Sequence, residues 1–280
     1  MNGYKNASMP REVEKLFEGM QASSKHSKPD VVTLNILLDM YCKRGDHRTA
    51  EHLLNEMKES SIYPNTTSYN TLMNGYAVSH DLENCTRIFE GMKNDGSRPD
   101  AYTYTILISA TGYAGKLTAC DELYSEMAGL GVEPTLVTYS TLMDVNNAAA
   151  NPTQVQKYFD IFTSKGYRPS SRIMWILMDS CRQSRKFDKL KELFEKAREL
   201  DFVQAPFCHL MMCTFSNPVS DLAKLMHANH VAPTHRTLKL MLEGATAADK
   251  PVISLTYSKL ASSAIPASLE MQYRDFCAKQ

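Results

Sequence analysis

The sequence predicts an all-α protein, an α-solenoid of stacked helix-turn-helix repeats about 35 residues long. Three observations predict it. Pro29, Pro64, Pro99, Pro134 and Pro169 fall at a fixed interval of 35 residues, as do Leu37, Leu72, Leu107, Leu142 and Leu177. Within each interval an apolar pattern of helical period occurs twice. Between the two patterns, and again after the second, stand residues that break helices.

The first helix of a unit, helix A, is carried by Leu34, Leu37, Leu38 and Tyr41, and again by Tyr69, Leu72, Met73 and Tyr76, at spacings of i, i+3, i+4 and i+7. The second, helix B, is carried by Ala50, Leu53, Leu54 and Met57, then by Cys85, Ile88, Phe89 and Met92, then by Cys120, Leu123, Tyr124 and Met127. Gly45 and Gly115 mark the inner turn. A Pro-Asp, Pro-Asn, Pro-Thr or Pro-Ser pair ends helix B and starts the next helix A. One stretch argues otherwise: the alternation in SRPDAYTYTIL, residues 97–107, reads as a strand. It lasts four residues, whereas the helical register returns in every unit. A single hairpin cannot bury its apolar face alone, so neighbours must stack.

Four well-formed units follow, 31–65, 66–100, 101–135 and 136–170. Residues 1–30 read as a partial repeat truncated at its N-terminus, since MNGY (1–4) matches MNGY (73–76) and LFEGM (16–20) matches IFEGM (88–92). On that reading Met1 is an internal methionine of a longer protein. Beyond 170 the pattern decays. Residues 171–205 keep Leu177, Leu190, Leu193 and Phe194 but carry Gln204 where the proline should be. Residues 206–234 and 235–267 read as shortened or degenerate units, and 268–280 as a C-terminal capping helix.

Composition narrows the function classes. Lys plus Arg equal Asp plus Glu at 31 each, which lacks the basic excess of many nucleic-acid binders. Residues 31–170 hold 11 basic against 16 acidic residues, a net charge of −5, and 171–280 hold 15 against 11. The seven cysteines are scattered without a CxxC pair, which suits a reducing compartment better than a disulfide scaffold. No apolar run approaches the roughly 20 residues that span a bilayer.

The four units carry a resemblance to a known family. VVTLNILLDMYCKRGDHRTAEHLLNEMKESSIYPN (31–65) and TTSYNTLMNGYAVSHDLENCTRIFEGMKNDGSRPD (66–100) are similar to pentatricopeptide repeats, and the two units after them likewise. A tetratricopeptide array fits less well, because its period is 34 and the small residue it needs in helix A is Leu38, Met73, Ile108 and Met143 here. The resemblance implies a P-type array forming a right-handed superhelix that reads single-stranded RNA, one base per repeat. It implies that position 5 of helix A and the last residue of the same repeat choose the base together. Those pairs are Asn35 with Asn65, Asn70 with Asp100, Thr105 with Thr135, and Ser140 with Ser170. The first pair suggests a pyrimidine, cytosine before uracil, the second uracil, and the last two lean to purines. Position 2 flanks the base with Val32, Thr67, Tyr102 and Val137, of which Thr67 departs from the usual aliphatic residue. A basic residue near the end of helix A meets phosphate, and only Lys43 supplies it; Val78, Tyr113 and Ala148 stand at the equivalent places.

Helical geometry agrees on the location. With positions 4, 7, 8 and 11 turned to the core, positions 2, 5 and 9 form a separate stripe expected on the exposed side. The residues also have plainer explanations. Asn, Asp, Thr and Ser after a proline are ordinary helix N-caps, each contributing about 1 kcal/mol. Position 5 has no such explanation, because a helix interior does not favour Asn or Thr. Trp175, at position 5 of the decaying fifth unit, suits packing better than base stacking. The basic cluster Arg182, Arg185, Lys186, Lys189 and Lys191 reads equally as a phosphate contact or a solvated helix face.

No catalysis is expected: neither HxE nor CxxC deaminase ligands occur. Cys208, His209, Cys213, His227 and His230 match no standard zinc spacing, so neither a metal nor a cofactor is expected. The expected partner is single-stranded RNA, together with an organellar ribosome or RNA-processing proteins, and neither a membrane nor a small-molecule substrate. The address implied is mitochondrion or chloroplast. The alternative is a helical scaffold, or ribosome-associated subunit, whose groove and acidic surface meet protein.

Overall fold

A computed structural model describes residues 30–200, 202, 210–211, 234–243, 250–260 and 267–278. Among them are 13 helices and no strand. The helix A series comprises α1 (Val31–Lys43), α3 (Thr66–Val78), α5 (Ala101–Tyr113), α7 (Leu136–Ala148) and α9 (Ser171–Gln183). Helix B recurs as α2 (His47–Glu59), α4 (Leu82–Asn94), α6 (Leu117–Gly129), α8 (Pro152–Ser164) and α10 (Phe187–Glu199). The chain divides into two compact units, Met1–Ala149 and Ala150–Gln280. The expected segment 1–30 lies outside the described residues except for Asp30, as does most of 206–234, including all five Cys and His residues weighed as zinc ligands.

Each A helix starts at the first residue of a unit because the residue before it is an N-cap. Asp30, Asn65, Asp100, Thr135 and Ser170 have extended backbones, and each side chain accepts a hydrogen bond from the amide three residues on. Both helices of a hairpin end alike. A residue with positive φ follows the helix, and the next N–H bonds back five residues, as from Asp46 to Tyr41 and from Ile62 to Met57. Glycine provides the left-handed residue at 45, 96, 115, 131 and 166, whereas Ser61, His80, Ala150 and Arg185 adopt it with a side chain.

In the first unit, helix A packs against its own helix B and against the A helices on either side, so α1, α3, α5 and α7 run as a continuous row. Positions 4, 7 and 8 are buried throughout: Leu34, Leu37 and Leu38, then Tyr69, Leu72 and Met73, then Tyr104, Leu107 and Ile108, then Tyr139, Leu142 and Met143. Helix B contributes Ala50, Leu53, Leu54, Met57, Cys85, Ile88, Phe89, Met92, Cys120 and Met127. Burying one such Leu, Phe or Met side chain contributes roughly 1.5–3 kcal/mol. Where the A row comes closest there is room only for glycine: a Cβ on Gly112 of α5 would lie 2.6 Å from Val145 of α7.

The polar ends of the core tyrosines are satisfied from helix B. Tyr76 Oη donates to Glu51 Oε2 at 2.8 Å, and Arg87 holds both oxygens of Glu51 at 2.7 Å. Tyr69 Oη donates to Asp95, which Lys58 reaches from the previous repeat at 2.5 Å. One repeat later Tyr104 Oη donates to Glu126 at 3.0 Å, and Lys93 meets the same carboxylate at 3.2 Å. Burial and the Glu51 hydrogen bond push Tyr76 up to about 12, while the Arg87 hydrogen bond holds Glu51 below its ordinary range.

In the second unit α9 packs on α10 and on α8. Helix α11 (His235–Glu243) packs on α12 (Lys250–Leu260) and α13 (Ala267–Ala278). Trp175 is half-buried. Arg182 of the basic cluster is bonded to Asp179 at 2.6 Å, and Lys189 to Gln156 at 2.8 Å.

Candidate nucleic-acid interface

The residues expected to read bases meet in pairs along the seam between successive A helices. In the repeat 31–65, Asn35 Nδ2 lies 3.4 Å from Asn65 Oδ1, thirty residues away in sequence. In the repeat 66–100, Asn70 Nδ2 lies 3.3 Å from Asp100 Oδ1. Both bonds are long, and both are closed by a third group. Ser68 Oγ stands 2.7 Å from Asn35 Oδ1 and 3.1 Å from Asn65 Oδ1. Thr103 Oγ1 stands 2.7 Å from Asn70 Oδ1 and 2.9 Å from Asp100 Oδ1.

In the repeat 101–135 the pattern changes. Thr105 and Thr135 make no mutual bond; they share Thr138 Oγ1, at 2.9 and 3.1 Å. Thr105 Oγ1 also lies 2.6 Å from the Ala101 carbonyl on its own helix. Ser140 donates to the Val137 carbonyl at 2.9 Å, and Ser170 caps α9. Ser140 and Ser170 belong to different units of the chain.

One expectation needs correction. Position 5 does not stand on an exposed stripe: Asn70 is 5% and Thr105 6% exposed, and Asn35 and Ser140 are half-buried. The reason is the row of A helices. Each interior helix is flanked on two sides, which also buries Ile106 and Ala110, so position 5 falls into the seam. The polar end of Asn70 still reaches open space. It lines a groove of about 460 Å³ together with Thr67, Asp100, Tyr102, Asp39 and Lys43. Position 2 is exposed as expected: Val32, Tyr102 and Val137 are 62, 54 and 55% accessible, and Thr67 is exposed too. Lys43 faces the groove but is paired with Asp39 at 3.0 Å.

The sequence reading passed over Ser68, Thr103 and Thr138, the third residues of their helices, each fully buried. Their hydroxyls recur at the 35-residue interval, a signal that was present but reads as helix capping. They do cap: the Asn65, Asp100 and Thr135 amides each donate to them at 3.1 Å. Only the fold shows that the same oxygen reaches back to the preceding repeat.

Comparison with known proteins bears on the repeats themselves. The profile described as "PPR repeat family" matches residues 29–78 and 64–112, and that described as "PPR repeat" matches 1–24 and 102–132. This chain carries pentatricopeptide repeats over residues 1–24 and 29–132. No curated protein sequence matches the chain. Among solved structures it is similar to the pentatricopeptide repeat protein PPR10 in complex with an 18-nt psaJ RNA element, with 16% identity and a TM-score of 0.58 over 95% of this chain and 43% of that one. PPR10 from maize gives 18% identity and a TM-score of 0.54 over 92% and 42%. The PPR domain of Arabidopsis thaliana protein-only RNase P 1 in complex with tRNA gives 19% and 0.50 over 58% and 86%. At these identities the likeness is one of fold, and the chain spans less than half the length of the PPR10 chains it matches.

Proposed function

We propose that this repeat protein is a non-catalytic, sequence-selective binder of single-stranded RNA. It would act in organellar RNA metabolism by covering a transcript segment against nucleases or refolding. The observation that carries the reading is the convergence of Asn70 and Asp100, from the two ends of one repeat, on the rim of a groove flanked by Tyr102. An exposed ring beside a donor and a carboxylate suits an unpaired base, which has a face to stack and an edge to pair. PPR10 and the RNase P domain, described with RNA, support the choice of ligand. The organellar setting, mitochondrion or chloroplast, rests on the family resemblance.

The magnitudes suit modest affinity. Stacking contributes about 1–3 kcal/mol per base, and association costs consume much of the sum over four bases. The net charge of −5 over residues 31–170 adds no attraction for phosphate. Filter binding to an oligonucleotide reading pyrimidine, uracil, purine, purine from its 5′ end tests the reading against its complement. Changing Asn70→Ser together with Asp100→Asn is expected to alter the base preferred at the uracil position alone. A protein-binding scaffold would show no preference between the oligonucleotides and no change in the variant.

A further inference from the structure

We propose that the third residue of α3, α5 and α7, a hydroxyl-bearing one in each, is a positioning residue for the base site of the repeat before it. Ser68 would set Asn35 and Asn65, Thr103 would set Asn70 and Asp100, and Thr138 would set Thr105 and Thr135. The proposal rests on the RNA reading above and adds a residue class that itself meets no base, since all three side chains are fully buried.

The hydrogen-bond network fixes which way each asparagine faces. An ionised carboxylate only accepts, so the Asn70 atom 3.3 Å from Asp100 Oδ1 is the amide nitrogen. The carbonyl oxygen then faces Thr103, whose hydroxyl accepts from the Asp100 amide and keeps its proton for donation. Asn70 therefore offers a base only N–H, and Asp100 offers its second oxygen, for which no hydrogen bond occurs among the described residues. Uracil turns an N3–H toward such a carboxylate and a carbonyl toward the amide, whereas cytosine would set the N3 lone pair against the carboxylate.

The same logic gives a different edge one repeat earlier. Asn65 Oδ1 accepts from the Ser68 amide at 3.0 Å, so its nitrogen is turned the other way. Asn35 presents nitrogen to Asn65 and oxygen to Ser68. Both asparagines then face a base as donors, an edge matched by the N3 and O2 acceptors of cytosine. Without the hydroxyl, the carbonyl oxygen of Asn70 or Asn35 loses its donor. Only the long bond of 3.3 or 3.4 Å to Asp100 or Asn65 is then left to hold the amide, so the edge it shows a base is no longer fixed. Neighbouring repeats are consequently coupled: the edge shown by one depends on a side chain of the next.

Single-base substitution series, read by equilibrium binding, test this with Thr103→Val, Thr103→Ser and Ser68→Ala, each checked by thermal unfolding. In the wild type, uracil opposite Asn70 and Asp100 should be preferred over cytosine by roughly tenfold, within the range for a well-made polar base contact. Thr103→Val should reduce that ratio to near unity while leaving the preference opposite Asn35 and Asn65 intact, and Thr103→Ser should restore it. Ser68→Ala should do the reverse, which covers the case of a Thr103→Val variant too unstable to measure. An unchanged ratio in folded Thr103→Val or Ser68→Ala overturns the positioning role, as does an equal loss at every base. A wild type that shows no preference at either site overturns the RNA reading and the positioning role with it.

Discussion

Gly112→Ala probes the spacing of the A row on which the groove depends. A Cβ built there would lie 2.6 Å from both Cβ and Cγ1 of Val145 and 2.9 Å from its Cγ2. Carbon atoms prefer about 3.5–4.0 Å, so the helices must separate by about 1 Å or the valine must leave its rotamer. Rotation offers little relief, because the contact includes Cβ itself and Val145 is 1% exposed. Overpacking of this kind costs about 1–3 kcal/mol, against which the better helix propensity of alanine returns up to about 1 kcal/mol. Urea unfolding followed by circular dichroism should show a net loss of about 1–2 kcal/mol, by the same two principles. Gly75→Ala is the internal control. Its first obstacle is Cys42 Sγ at 2.9 Å, the movable end of a side chain, so it should lose less. A Gly112→Ala protein as stable as the wild type, or more so, would mean that α5 and α7 are not packed this closely.

Three further expectations concern stability. Lys116 occupies the N-cap of α6 without a side-chain bond, in nearly the backbone geometry with which Asp46 and Asp81 cap α2 and α4; Lys116→Asp should therefore stabilise by about 1 kcal/mol in urea melts. Ala150 holds φ at 54° where Gly45 and Gly115 stand in other repeats, so Ala150→Gly should raise the thermal midpoint, with a gain of roughly 1 kcal/mol. Acid should weaken the protein. Hydrogen bonds from Thr33, Thr49, Asn84 and Lys58 hold Asp30, Asp46, Asp81 and Asp95 below their ordinary 3.8, and Arg87 does the same for Glu51 from 4.5. Groups lowered in the folded state stabilise above their unfolded values and lose that contribution as pH falls through the folded ones. The melting temperature should thus stay level above about pH 5 and fall below about pH 4.

Much of this architecture is legible in the sequence, for local reasons. Proline followed by a capping residue fixes the start of every A helix, and the i, i+3, i+4 pattern fixes its buried face, so Leu37, Leu72, Leu107 and Leu142 fall where their spacing puts them. What escapes is what depends on a second neighbour. A helical wheel assumes one buried side, whereas a helix inside a row has two, which is why Asn70 and Thr105 lie in a seam. The left-handed residues His80 and Ala150 escape too, because the usual glycine is replaced; at His80 the bond from the Asp81 amide back to Tyr76 keeps the shape. The pairing of Asn35 with Asn65 and of Asn70 with Asp100 came from the family resemblance; the structure supplies the hydroxyl that closes each pair. For Thr105 with Thr135, which make no direct bond, the structure supplies Thr138 as the group they share.

The measurement that bears most directly on the central claim is side-chain amide NMR of Asn35 and Asn70 during titration with the pyrimidine-uracil-purine-purine oligonucleotide. The account predicts that these two amides, together with the ring of Tyr102, shift in step with binding while Arg87 on the helix B side stays still. Shifts confined to the helix B side, or saturable binding that leaves both amides unmoved, would contradict it.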